Sequence, residues 1–283
     1  MNYSNNVSQP AELPATDLSR LQGILERFEV SIADANDLVV LEEYKIVLVC
    51  DDSGSMQRSA VPASMRRLGE AQLTRWQELQ STASLILDIA TCFDKEGVDT
   101  YFLNRKMIPK VKGGDDKRFV FAFRDPPKGS TPLTRAVTEA VNECAVGEKP
   151  LLILILTDGE PDGGPRPFVQ MVRDVVSKTS TRHTVKFQIM ACTPEEDDVA
   201  WLDRLDHELK EVDVTDDYHT EKRQVIKAGK RTVFTRGDWC MKAMLGPITH
   251  KFDAWDETKR SRTAFLEDQC RCSGPGKLEC SIQ

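Results

Sequence analysis

A doubly wound α/β fold, with a mostly parallel central sheet and helices on both faces, is predicted by three observations. First, Lys45–Cys50 (KIVLVC) and Pro150–Thr157 (PLLILILT) are apolar runs with no polar alternation, the signature of strands covered on both sides. Second, amphipathic segments separate these runs from further candidate strands, giving a βαβα order. Third, both runs end abruptly in loops of Asp, Ser, Thr and Gly, where sheets of this kind place their sites.

The elements follow in order. Residues 1–17 are rich in Asn, Ser, Pro and Thr and read as a disordered tail. Leu18, Leu21, Ile24, Leu25 and Phe28 recur at helical spacing behind a capping Asp17. A second short helix is expected over Ser31–Glu43, capped by Ser31 with Ala33, Ala35 and Leu38 inside, so 18–43 forms an N-terminal helical extension. After the first strand, Gln77–Phe93 is an amphipathic helix, Asp99–Leu103 a strand, and Met107–Val111 an edge strand because Pro109 cannot donate to a ladder. Arg118–Arg124 alternates like a strand, yet Asp115 and Asp116 suit a helix start, and a short helix is preferred. Helices are expected over Leu133–Cys144, Phe168–Ser177, Ala200–Leu209 and Asp238–Leu245, and strands over Thr184–Cys192 and Val212–Val214. Thr193-Pro194-Glu195-Glu196 reads as a capping box, and the acids of 195–198 complement the helix start rather than bind calcium. One domain over 44–249 accounts for the alternation, and 250–283 is a C-terminal extension that trails away after Pro247.

Composition narrows the class. With 40% hydrophobic and 29% charged residues in 283, the chain can build a full core. The net charge of −7 argues against non-specific nucleic-acid binding. The longest apolar run, Leu151–Leu156, is far shorter than the roughly 20 residues of a membrane span. The N-terminus lacks a basic start and an apolar stretch, so a cytoplasmic protein without membrane insertion is expected. Cys50, Cys92, Cys144 and Cys192 lie in or beside apolar runs and read as free thiols. Cys270, Cys272 and Cys280 sit in a polar tail whose C-x-C spacing is tighter than the usual zinc pattern. The four tryptophans, Trp76, Trp201, Trp239 and Trp255, are expected in or near the core.

Three loops at the carboxyl ends of strands supply the candidate site. The first carries Asp51, Ser53 and Ser55, the second Thr131, the third Asp158. All five are hard oxygen donors, so Mg²⁺ or Mn²⁺ suits them better than Zn²⁺. Each is also a common turn or cap residue, and Thr131 before Pro132 or Ser55 could serve simply as a helix cap. Glu160 and Asp162 beside the third loop are read as caps of the Gly-rich turn.

The segments LVCDDSGSM, GSTPL and ILTDGEPD, together, resemble the three loops of a von Willebrand factor A domain with its metal-ion-dependent adhesion site. The resemblance spans about residues 44–249, and DTYFLN and DWCMKAMLG bring it nearer to intracellular microbial members than to integrins. It implies a Rossmann-like fold and a divalent ion held by Asp51, Ser53, Ser55, Thr131 and Asp158, with Asp52 pointing away. It implies a partner protein whose Asp or Glu completes the ion's shell. It also implies that Thr131 binds the ion directly when a partner is engaged, and Asp158 when none is.

Other chemistries fit less well. A haloacid-dehalogenase-like phosphatase needs an acid where Ser53 stands. Neither G-x-G-x-x-G after a strand nor a P-loop occurs, and none of His183, His207, His219 and His250 follows a G-x-S-x-G elbow. The expected function is a metal-dependent protein-binding module rather than an enzyme; the alternative is a metal-dependent phosphoester hydrolase.

Overall fold

In the computed structural model, the described residues are 15–30, 36–61, 72–178, 184–202, 205 and 208–255. Six strands form one sheet in the order β3–β2–β1–β4–β5–β6. They are β1 (Lys45–Cys50), β2 (Val98–Phe102), β3 (Ile108–Val111), β4 (Leu151–Thr157), β5 (Val185–Ala191) and β6 (Val212–Thr215), each within one residue of its sequence expectation. All neighbours are parallel except β3, which runs antiparallel to β2 at the edge, where Pro109 is tolerated.

The unbroken apolar runs are explained by two cores. Ile46, Leu48 and Cys50 of β1 and Leu152, Leu154 and Leu156 of β4 face one core, while Val47, Val49, Ile153 and Ile155 face the other. None of these ten side chains is exposed. Each contributes roughly 1.5–3 kcal/mol through burial, so a polar residue at any of them would be costly. The first core is covered by α1 (Ala15–Arg27), a 3₁₀ segment (Asn36–Glu43), α2 (Arg75–Phe93) and α3 (Lys117–Ala122). The second lies under α4 (Leu133–Cys144) and α5 (Pro165–Ser177). Chain order then gives α6 (Glu196–Val199), α7 (Tyr218–Lys227), α8 (Arg236–Leu245) and α9 (His250–Asp253). α8 packs on the first core so closely that a Cβ on Gly237 would stand 2.3 Å from Val30 Cγ2.

Local chemistry sets several ends. Thr74 and Gln77 form a reciprocal capping box at the start of α2, as Thr235 and Asp238 do for α8. Asp116 accepts from the Arg118 amide, so the Arg118–Arg124 segment resolves as a helix. Its Phe119 and Phe123 join Trp76 and Phe102 in one aromatic group, with Trp76 stacked on Phe123 at 4.2 Å. Trp76, Trp239 and Trp255 are buried and Trp201 is half-buried.

Four expectations need correction. α1 begins at Ala15, so Asp17 lies within its first turn instead of capping it. The box at Thr193 does not form: Glu195 starts the single-turn α6 without a side-chain cap, and the Thr193 hydroxyl accepts from the Glu195 amide at 3.1 Å. No helix is expected between Val214 and Asp238, yet α7 lies there and carries His219; it is too polar to show an apolar period. The chain does not trail off at Pro247, because α9 and Trp255 fold back, with Phe252 and Trp255 in the first core. Ser31, Ala33, Ala35, His183, His207, Cys270, Cys272 and Cys280 lie outside the described residues, as does part of the Ala200–Leu209 helix.

Candidate metal centre

β1 and β4 are central neighbours, yet the chain winds from β1 toward β2 on one side and from β4 toward β5 on the other. Their carboxyl ends therefore flank the crevice where the winding reverses. The amide of Asp51 still pairs with Leu156 O at 2.9 Å, so the first loop leaves the sheet from a fixed point. The Asp51 carboxylate is buried, with Oδ1 accepting from the Ser53 amide at 2.8 Å and Oδ2 from the Thr157 hydroxyl at 2.7 Å.

A chain of oxygens follows. Ser53 Oγ lies 3.0 Å from Ser55 Oγ, and Ser55 Oγ donates to Asp158 Oδ1 at 2.7 Å. Four of the five sequence candidates, Asp51, Ser53, Ser55 and Asp158, are thus brought together across more than a hundred positions of chain. Thr131 lies in the adjoining second loop, half-buried, and is fixed through its backbone. Its amide donates to Asp162 Oδ1 at 2.9 Å and its carbonyl accepts from the Asp162 amide at 2.8 Å. The capping alternatives do not hold: α4 has no side-chain cap, and the Ser55 hydroxyl is spent on Asp158.

Two residues matter more than the sequence suggested. Asp162 is a clamp, because it also accepts from Ser130 Oγ at 2.6 Å and so ties the third loop to the second. The second is Arg75. Its side chain is 2% exposed, and Nη1 donates to Asp158 Oδ2 at 2.8 Å. It also reaches Asp198 Oδ2 at 3.5 Å, so the acids after Pro194 serve a cation as well as a helix start. The first two loops are joined by the Gly54 amide on Gly129 O at 3.1 Å. Gly129 has φ +107°, and a Cβ there would stand 2.5 Å from Asn104 Oδ1, so glycine is required. Asp52 turns to the other side: Oδ1 accepts from the Asn104 amide at 2.8 Å, and Oδ2 lies 3.3 Å from Arg105 Nε.

Electrostatics sharpen the picture. Burial, and next the charge of Asp158, push Asp51 up to about 6, against the hydrogen bonds of Ser53 and Thr157. Burial also raises Asp52, opposed by Asn104 and Arg105. Burial first, then nearby carboxylates, hold the Cys50 and Cys192 thiols well above the ordinary range. Two buried carboxylates with one guanidinium leave an excess of negative charge that a cation would relieve.

The donor set fits a small hard ion. An octahedral ion with ligands at about 2.0–2.1 Å has ligand–ligand edges of about 2.9 Å. The serine–serine and serine–Asp158 separations of 3.0 and 2.7 Å are ordinary hydrogen-bond lengths that also lie close to such an edge. Among the described residues no group of three or more His, Cys, Asp and Glu side chains converges. An ion here would therefore take hydroxyl oxygens beside its carboxylates, which disfavours zinc.

No protein-family model matches this chain, and no curated protein is similar to it in sequence. Solved structures similar to it include the crystal structure of manganese-loaded Plasmodium vivax TRAP protein, at 15% identity and a TM-score of 0.39, covering 64% of this chain and 71% of that one.

Proposed function

We propose that this chain is a von Willebrand factor A-type binding module. Asp51, Ser53, Ser55, Thr131 and Asp158 would hold Mg²⁺ or Mn²⁺, with a position left for an Asp or Glu of a partner protein. The ion would supply a strong, directional charge for that carboxylate. The observation that carries this reading is the continuous oxygen chain from Ser53 through Ser55 to Asp158 beside the buried Asp51. In this chain Asp51 anchors the first loop, Asp162 holds the second and third loops together, and Arg75 fixes the second oxygen of Asp158.

The reading is non-enzymatic. The nearest cation, Arg75, is buried against Asp158, and the adjacent thiols are kept protonated, so neither offers a base or nucleophile. No described helix is long and apolar enough to cross a membrane.

Calorimetric titration with Mn²⁺, followed by pull-down with Mg²⁺ or with EDTA, tests the proposal. Metal binding should be lost in Asp51→Ala, and retained proteins should be released by chelator. Wild-type protein that takes up no divalent ion would refute it, as would metal-dependent turnover of phosphoesters.

A further inference from the structure

We propose that the groove between β3 and α3 docks an acidic segment of the protein partner, one that carries a bulky apolar side chain among its carboxylates. This deepens the proposed function and rests on it for the choice of an acidic protein as partner.

The groove has a volume of about 690 Å³. Met107, Ile108, Pro109 and Phe121 give it an apolar lining, and the exposed Lys106 and Lys117 border it. Phe121 is 63% exposed and Val120 beside it 37%, two of six exposed large hydrophobics among the described residues. Of the two, Phe121 lines the groove, with the Arg124 guanidinium 5.4 Å from its ring centroid. Charge is segregated at the same place. Four of the residues lining the groove are basic, Arg105, Lys106, Lys117 and Arg118, and one, Asp125, is acidic; Arg105 faces Asp52 and Arg118 pairs with Asp116, so the excess rests on Lys106 and Lys117. A local positive excess around an apolar slot selects a ligand that is both acidic and apolar.

The mode of docking is also constrained. β3 is the sheet edge, where an added strand would ordinarily pair. Pro109 has no amide to offer, and Arg118 donates to Pro109 O at 3.0 Å and to Lys110 O at 3.2 Å. The backbone of this edge is therefore closed, and a ligand must be held by its side chains.

The groove is continuous with the metal rim. Arg105 lines it, approaches Asp52 Oδ2 with Nε, and donates to Asp125 O at 3.1 Å and Pro126 O at 2.8 Å. The Lys128 amide then closes on Asp52 O at 2.8 Å. One loop thus runs from the end of α3 to the residue beside Asp51. A segment with one carboxylate at the rim could seat its apolar residue in the groove.

The test uses fluorescence anisotropy with a labelled peptide, Glu-Asp-Phe-Glu-Leu-Asp-Glu, at low salt, with Mg²⁺ and with EDTA. Phe121→Ser and the double change Lys106→Glu/Lys117→Glu alter exposed side chains, and circular dichroism checks that both variants stay folded. Each should weaken the peptide by about tenfold or more with or without chelator, while Asp51→Ala removes only the Mg²⁺-dependent part. Binding that chelator abolishes and the groove variants leave untouched overturns this inference but spares the metal reading. Binding weakened by the groove variants and indifferent to chelator does the reverse. The inference also fails if wild-type protein ignores the peptide up to millimolar concentration. It fails too if a labelled oligothymidine binds more tightly and is lost in the same variants. A concentration-dependent dimer abolished by Phe121→Ser would assign the groove to a second copy instead, and would overturn it as well.

Discussion

Replacing Arg75 with methionine is the sharpest probe of how the site balances its charges. The change keeps an apolar stem and removes the guanidinium. Arg75 and Asp158 are 2% and 0% exposed at the side chain, with 2.8 Å between Nη1 and Oδ2, so solvent screens them little. Removing one partner of a buried pair costs about 3–5 kcal/mol, because the other charge is left uncompensated. The contact to Asp198, 34% exposed at 3.5 Å, adds less than about 1 kcal/mol. Ser55 still donates to Asp158, which places the expected loss near the lower bound, about 3 kcal/mol. Urea unfolding in EDTA measures it, and Asp158→Asn with the double variant completes a cycle. A coupling of about 2 kcal/mol or more is expected between the two positions. Repeating the titration with Mn²⁺ should recover more stability in Arg75→Met than in wild type, since a divalent ion would replace the missing charge. A loss under about 1 kcal/mol in EDTA, no coupling, and an unchanged response to Mn²⁺ would refute the reasoning.

Three further outcomes follow from the geometry. In metal-free protein the Asp51 proton is held more tightly folded, at about 6, than unfolded, at 3.8. Its contribution is thus fully present below about pH 4 and lost as pH rises through about 6, a change of about 2–3 kcal/mol. Wild type in EDTA should therefore show this slope in its urea midpoint, and Asp51→Asn should lack it; parallel profiles would contradict the assignment. Thr131→Val should leave Mn²⁺ uptake measurable by calorimetry while weakening an acidic partner by about 1–3 kcal/mol, whereas Asp158→Asn should weaken the bare ion first. Equal effects on both measurements would mean that the two ligands do not exchange. Lys242 and Glu221 form a pair 3.4 Å apart, each 1% exposed, so Lys242→Met alone should cost about 3–5 kcal/mol in thermal or urea unfolding, and Glu221→Leu added to it should restore much of the loss; additive losses would sink that reading.

Legibility in the sequence followed the physics of each element. Strands buried on both faces must be apolar at every position, so β1 and β4 could be read from composition alone, and the loops leaving them carried Asp51, Ser53, Ser55 and Asp158. α7 was invisible because it buries Thr220, Glu221 and Val225 rather than an apolar stripe; its signal was Asp217, whose carboxylate caps the amides of His219 and Thr220. The failed box at Thr193 shows the converse, since the residue types were right but the helix they would open is a single turn. Arg75 is the instructive omission. It stands 83 positions from Asp158, so no local pattern could pair them. Yet it occupies the first position of a 19-residue helix, where the macrodipole disfavours a cation by roughly 0.3–1 kcal/mol. Buried as it is, the guanidinium needs a carboxylate from elsewhere in the fold, and Asp158 supplies it. In a βαβ sheet the helix that follows β1 starts at the same rim as the ends of β1 and β4. The pairing of Arg75 with Asp158 thus follows from the winding of the sheet and not from any local pattern of residues.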